Sequence, residues 1–355
     1  MKILVTGVAG FIGTNLAAHC IEQTDYCVVG VDKLGYASSQ TAVQWLNDRP
    51  DCSFYPYDIR NEEAILQIFH DEQPDAIIHL AAESHVDRSI DGPDEFIGSN
   101  IVGTYRLLKV ARQYYEGLKD KQRERFRFLH VSTDEVFGSL GPNDPGFNEL
   151  SQYQPNSPYS ASKAASDHLA RAWCETYGLP VIITNCSNNY GPWQFPEKLI
   201  PVVVLKAIDY QPIPIYGKGD NVRDWLFVRD HTSALLKIVE SGKVGCSYNI
   251  GGQSESTNLD LVKSICETLD RLVPIPGNKN IHSYSDLIEF VQDRPGHDFR
   301  YAMDITKIKS ELGWEPHYKL TNGLEQTVAW YLENKAWCKG VLSDNYELQR
   351  LGLDK

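Results

Sequence analysis

The sequence predicts an α/β protein: a parallel, doubly wound sheet covered by helices on both faces, joined to a smaller, discontinuous α/β lobe. Three observations carry this. Short apolar runs of strand length alternate with amphipathic helical stretches through the first 187 residues. A glycine-spaced turn, Gly7 to Gly13, follows the first of those runs. Near Asn188 the texture changes, with Asn, Tyr, Gly, Pro, Trp, Gln, Phe and Pro crowded together as they are in loops. At 355 residues the chain also exceeds the usual size of one hydrophobic core, which favours a second lobe.

Taken in order, Lys2 to Thr6 reads as a buried strand, Gly7 to Gly13 as a turn, and the stretch to about Gln23 as a helix. Val28 to Val31 is the next strand. Strands follow near Phe54, at Ala76 to Leu80, at Phe128 to Val131 and at Val181 to Thr184, separated by helices such as Ala64 to His70 and Ile97 to Tyr115. Crossover helices between successive strands imply parallel pairing. Asp224 to Val228, a helix from about His231 to Glu240, and Tyr248 to Ile250 read as a return of the chain to the first domain. The expected division gives 1–187 and 224–252 to a dinucleotide-binding domain, and 188–223 and 253–355 to a substrate-binding lobe that includes an amphipathic helix at Leu324 to Leu332.

Hydrophobic residues make up 42% and charged residues 23%, the balance of a globular protein. The net charge of −13 argues against a nucleic-acid partner, which needs clustered cations to displace counterions. A small phosphorylated ligand stays compatible with it, because a helix N-terminus and a few local cations suffice. The eight cysteines are scattered, without CxxC or zinc-type Cys/His spacing. They read as reduced thiols of a cytoplasmic protein with no metal site. The opening segment has the glycine spacing of a strand and turn and lacks a cleavage site, so it does not read as a secretion signal. No run approaches the length of a membrane span.

Gly7, Gly10 and Gly13 form GxxGxxG between a strand and a helix. Glycine permits the tight turn and lets a pyrophosphate approach amides at a helix N-terminus. Asp32, at the end of the second strand, can accept hydrogen bonds from both hydroxyls of an adenosine ribose and repels a 2′-phosphate, which favours NAD over NADP. Lys33 beside it makes that preference less strict. Asp58 follows the third strand, where it can reach an adenine or cap the helix that begins near Asn61.

Tyr159 and Lys163 stand four apart in YSASK, in the first turns of a helix, and so share a face. A neighbouring ammonium favours a phenolate, which makes Tyr159 a candidate general base. Thr133, Asp134 and Glu135 lie at the carboxyl edge of the sheet, where ligands of this architecture bind. Mutual repulsion pushes the ionisations of the two carboxyls apart, so one can act as acid and the other as base. The plainer readings are an exposed helix face for YxxxK and a helix cap for STDE. Coincidence of these motifs on one sheet edge favours the chemical readings.

GxxGxxG, Asp32, LAAESHVDRS (Leu80 to Ser89), STDEVFG (Ser132 to Gly138) and YSASK together resemble the extended short-chain dehydrogenase/reductase superfamily, whose sheet is Rossmann-like. Within it, the TDE triple, NCSNNYGPWQFPEKLIP, PIYGKGDNVRDWLFVRDH and DRPGHDFRY are similar to the dTDP-glucose 4,6-dehydratase family. The resemblance implies a nucleotide-sugar substrate, a borrowed and returned NAD, and a homodimer paired through the apolar stretch Ile97 to Tyr115. It implies that Tyr159 takes the C4 hydroxyl proton, that Lys163 tunes it, and that Thr133 hydrogen-bonds the C4 oxygen. Glu135 takes the C5 proton and Asp134 protonates the departing C6 hydroxyl. NAD is then expected against Gly7, Gly10, Phe11, Ile12 and Gly13, against Asp32, Lys33 and Leu34, against Asp58 and Ile59, against Leu80, Ala81, Ala82 and Ser84, and against Ser99, Tyr159, Lys163 and Asn189. The substrate is expected against Ser84, Thr133 and Asn188, with Glu197, Lys198 and Leu199 along the nucleotide and Pro214, Ile215 and Tyr216 beside the base. Arg223, Asn258, Arg294 and His297 are expected at the diphosphate and ribose, where a guanidinium can grip phosphate oxygens. The chain departs from the family pattern at GYASSQ after Leu34 and at Ser99, both of them cofactor contacts.

Overall fold

The structure, a computed structural model, describes residues 1–277, 279–293 and 296–342. Seven parallel strands form the central sheet: β1 (Lys2–Thr6), β2 (Cys27–Val31), β3 (Cys52–Tyr55), β4 (Ala76–His79), β5 (Arg127–Thr133), β6 (Val181–Cys186) and β10 (Ser247–Ile250). Their spatial order is β10-β6-β5-β4-β1-β2-β3, so the winding reverses between β1 and β4. Ligands of open α/β sheets bind at such a reversal, outside the carboxyl ends of the strands. The doubly wound, Rossmann-like sheet expected from the sequence is therefore present.

Both faces are covered, which explains the unbroken apolar strands. Ile3 and Val5 of β1 point to one core with Leu16, Ala17, Leu235 and Ile238, from the helices Phe11–Gln23 and Val228–Ser241. Leu4 points to the other, with Ile65, Phe69, Leu107 and Ala170. Each of these Val, Leu, Ile and Phe side chains contributes about 1.5–3 kcal/mol by leaving water. The helix expected from Ile97 begins as a π-helical segment, Ile97–Gly103, and continues as α-helix from Thr104 to Gly117. All eight cysteines are free. Among the described residues, no helix is long and apolar enough to cross a membrane.

The smaller lobe holds a three-stranded sheet of β7 (Asn188–Tyr190), β9 (Val222–Phe227) and β11 (Glu255–Thr257), and a parallel pair of β8 (Ile213–Tyr216) and β12 (Ile288–Val291). Its core joins Val203, Ile213, Leu261, Ile265, Val328 and Tyr331. The return of the chain differs in detail from the expected one. β9 pairs with β7 and β11, while the helix it feeds and β10 lie on the seven-stranded sheet. Ile305, Ile308 and Trp314, sequence neighbours of the small lobe, pack into the large sheet's core, and Trp314 Nε1 donates to Ser233 Oγ at 2.9 Å.

Candidate functional site

The turn after β1 leaves no room for side chains at two glycines. Gly7 has φ +73°, and a Cβ there would lie 2.9 Å from the Ala81 backbone; a Cβ on Gly13 would lie 2.1 Å from the Gly7 carbonyl oxygen. Gly10 precedes the helix without a side-chain cap. The amides of Phe11, Ile12 and Gly13 have no partner one turn earlier within the helix, and these residues line a cleft, as an anion site requires. Asp32 stands at the end of β2: Oδ2 accepts from the Ala9 amide (3.1 Å), and Oδ1 from the Leu34 amide (2.8 Å) and Ser38 hydroxyl (2.9 Å). Burial raises the pKa of its carboxyl, against the pull of these donors. Lys33 is tied to Glu83 at 2.7 Å and Ser99 at 3.0 Å. Asp58 does not cap the next helix, since Asn61 does; it binds Arg60 instead, whose hydrogen bonds overcome burial and hold the carboxyl below its usual range. An uncapped helix start, two obligate glycines and a fixed carboxylate together fit the diphosphate and ribose of a dinucleotide.

One cleft of about 320 Å³ gathers Gly7, Gly10, Phe11, Ile12, Gly13, Asp32, Lys33, Asp58, Ile59, Leu80, Ala81, Ala82, Ser84, Ser99 and Asn189 with Thr133, Asp134, Glu135, Tyr159 and Lys163. Leu34, in the left-handed region at φ 58°, holds the turn beside it through the bond to Asp32.

The Tyr159 helix, Pro158–Tyr177, starts with a Ser157–Ser160 capping box and proline at its first position, which fixes its first turn. Tyr159 is further held by its amide donating to Ser89 Oγ at 3.2 Å. Here the structure corrects an expectation. Burial and then the Glu135 charge push the Tyr159 hydroxyl well above its ordinary pKa, with the Thr133 hydroxyl opposing. The Lys163 ammonium donates instead to the Val131 carbonyl at 2.8 Å, and burial lowers its own pKa.

At the end of β5, Thr133 caps the 3-10 turn Asp134–Phe137: its hydroxyl accepts from the Glu135 amide (3.3 Å) and donates to Asp134 Oδ1 (3.2 Å). The cap reading and the chemical reading thus coexist. Asp134 is 1% exposed and its Oδ2 has no hydrogen-bond partner. Burial, then the charges of Glu135 and Asp224, push its carboxyl well above the usual range, with Arg223 opposing. The pair therefore sets a carboxyl whose pKa is pushed up by burial beside a more accessible one.

Substrate-side residues divide into two groups. Ser84, Thr133, Asn188, Glu197 and Lys198 line the same cleft. Lys198 Nζ donates to the Ser84 carbonyl at 2.8 Å. Glu197 accepts from Arg88 Nε and the Tyr36 hydroxyl, both at 2.9 Å. The others lie outside its lining: Leu199 opens the helix Leu199–Ile208, and Asn258 opens Asn258–Leu272. Arg223, 5% exposed, donates to the carbonyls of Val222, Asp298 and Phe299 and lies 4.2 Å from the Tyr301 ring centre. His297 meets Asp293 at 2.7 Å. Arg294 lies outside the described residues.

A family model described as GDP-mannose 4,6 dehydratase matches residues 4–327. A dTDP-glucose 4,6-dehydratase of Neisseria meningitidis serogroup B is 53% identical over 354 residues, covering 100% of this chain and 99% of the relative. One from Shigella flexneri is 53% identical, covering 98% and 97%. The chain belongs to the dTDP-glucose 4,6-dehydratase family. A family member from Streptomyces venezuelae, crystallised with NAD bound, superposes with a TM-score of 0.86 at 40% identity, covering 96% of this chain and 100% of that one.

Within this 4,6-dehydratase framework, one expected contact needs correction. Ile215 is 2% exposed and belongs to the lobe's core, because alternation along β8 turns it opposite to Pro214 and Tyr216. Only its backbone is left for a base. Three residues escaped sequence reasoning: Arg88 and Tyr36, which grip Glu197, and Tyr301, buried beside Glu135. Arg88 lies inside LAAESHVDRS and Tyr301 at the end of DRPGHDFRY, so the motifs contained them. Their partners lie too far along the chain for spacing to reveal.

Proposed function

We propose that this chain removes water from dTDP-glucose to give dTDP-4-keto-6-deoxyglucose, with Tyr159, Lys163, Thr133, Asp134 and Glu135 as its reactive groups. The glycine turn, Asp32 and the Tyr159 helix would hold NAD, which would supply a reversible hydride acceptor and a cationic ring that favours the Tyr159 phenolate. Tyr159 takes the proton of the C4 hydroxyl as C4 becomes a ketone. Thr133 hydrogen-bonds the C4 oxygen, a contact that strengthens as that oxygen gains charge. The ketone acidifies the C5 proton, which Glu135 removes. Asp134 gives its proton to the C6 hydroxyl, so that the C6–O bond breaks and water leaves. C6 is then reduced and C5 reprotonated.

The single observation that carries the reading is Asp134: a carboxyl buried on the same turn as Glu135, with one oxygen unpartnered among the described residues. A C4 epimerase shares Tyr159 and Lys163 but needs no acid and base at C5 and C6. Supplying dTDP-, UDP- and CDP-glucose and following the alkali-shifted absorbance of a 4-keto sugar tests both reaction and base. The highest kcat/KM is expected for dTDP-glucose; a preference for another base would redirect the substrate assignment.

The reading extends to a cytoplasmic homodimer with the 1–187/224–252 and 188–223/253–355 division of labour. Exposed Ile97, Val102 and Tyr105, on one helical stretch, support pairing with a second copy. Elution as a monomer at micromolar concentration would remove that part.

A further inference from the structure

Behind the reactive residues lies a buried polar cluster that the reaction does not use. Asp167, 2% exposed, sits one helical turn after Lys163. One oxygen meets His130 Nε2 at 2.9 Å. The other accepts from the Ser132 hydroxyl at 2.8 Å, the Tyr153 hydroxyl at 2.9 Å and the Asn185 amide at 3.4 Å. Asn185 also donates to the Thr133 carbonyl at 3.1 Å. A single carboxylate thus joins the helix of Tyr159 and Lys163, the strand that ends in Thr133, the neighbouring strand β6 and the loop of Tyr153.

We propose that Asp167 is a positioning residue, which fixes the Tyr159 helix against the end of β5 and balances the charge of the buried Lys163 ammonium. This rests on the role given above to Lys163. An ammonium taken out of water tends to lose its proton unless an opposite charge is near. Lys163 is 5% exposed and donates a hydrogen bond to a neutral carbonyl, which supplies dipole but not charge. Asp167 is the leading influence that opposes the effect of burial on Lys163. The four donors around Asp167 hold its carboxylate in place and replace the water it lost.

The other groups facing this pair come from every element around it. On β4 and β5, His79 and His130 stand with ring centres 5.4 Å apart, both held neutral chiefly by burial. Cys186 of β6, pushed by burial up to about 12, stays a thiol. Tyr153 is likewise pushed up by burial and then by Asp167, and Tyr159 stays a phenol in the free protein. Arg171, a further turn along the helix, acts on Tyr153 from outside. Among these, Asp167 is the anion placed to compensate Lys163.

The test is the pH profile of kcat for the full-length chain and two variants. In Asp167→Asn the ammonium loses its balancing anion, so Lys163 gives up its proton at lower pH. The alkaline limb is expected to move down by about one pH unit. Tyr153→Phe keeps the ring but removes one donor, which leaves more of the Asp167 charge to act on Lys163. Its alkaline limb is expected to move up, by less. Profiles of both variants that match the parent after scaling would overturn the proposal. A second readout needs no turnover: the Tm loss caused by Asp167→Asn should shrink in a Lys163→Met background, and rescue of a non-folding Asp167→Asn by Lys163→Met counts the same way. Equal losses, or unfolding in both backgrounds, would overturn it. Failure of the parent chain to make a keto sugar would sink the functional reading, while the Tm cycle still decides this one.

Discussion

The two sides of the cleft handle buried charge in opposite ways. On the helix side, Lys163 has a carbonyl to donate to and a carboxylate one turn away, and the capping box at Ser157 fixes the turn that carries Tyr159. On the strand side, Asp134 is just as buried, yet one oxygen has no partner among the described residues and the leading charge acting on it is that of another carboxyl. The first arrangement is satisfied before any ligand arrives. The second leaves a buried oxygen open to a ligand. Sites that run acid and base chemistry at one pH are built by such divergent environments.

Substitutions can break that contrast. The largest effect is expected for Tyr159→Phe, which removes the base: kcat should fall by about 10²–10⁴-fold. NAD should remain bound, as measured by the nucleotide released on denaturation. Glu135→Gln acts on the strand side alone. Formation of the 4-keto-6-deoxy sugar should fall by about 10²-fold while C4 oxidation persists, so reduced-nicotinamide absorbance builds up. Loss of both steps together would mean that the two sides are not separable. Gly13→Ala strikes the seat they share: its Cβ would meet the Gly7 carbonyl oxygen at 2.1 Å. A stability loss of about 1–3 kcal/mol is expected, with loss of retained NAD.

The smallest effect is the most specific. Because burial raises the folded-state pKa of Asp134 above its unfolded value, the proton it holds stabilises the fold in acid, and that contribution is lost as pH rises. Near neutrality the parent chain therefore bears a cost that Asp134→Asn removes. The variant should gain about 0.5–2 kcal/mol at neutral pH, the usual yield when a functional constraint is relaxed. The gain should vanish below about pH 4, where the unfolded carboxyl is also protonated. Denaturant titrations across that range check it.

What was legible in the sequence follows the same contrast. GxxGxxG and YxxxK each lie within one local unit, a strand–turn–helix or two helical turns, so spacing alone fixes which side chains meet. The direction of the Tyr159 pKa was not legible, because it depends on burial and on Lys163 reaching from its helix to the Val131 carbonyl of β5. The grip of Arg88 on Glu197 joins residues 109 apart. Ile215 was misread because the strand that contains it was not assigned, and alternation along an unseen strand gives no warning. The partners of β9 escaped for a similar reason: its neighbours β7 and β11 are three-residue strands, too short to leave a periodic trace.

The central claim is that Asp134 and Glu135 make the site eliminate water after Tyr159 and Lys163 have made it oxidise. Turnover of dTDP-glucose in deuterium oxide addresses it directly. The expected product is dTDP-4-keto-6-deoxyglucose carrying deuterium at C5, because the C5 proton leaves to Glu135 and is replaced from solvent. Formation of dTDP-galactose without deuterium at C5 would contradict it.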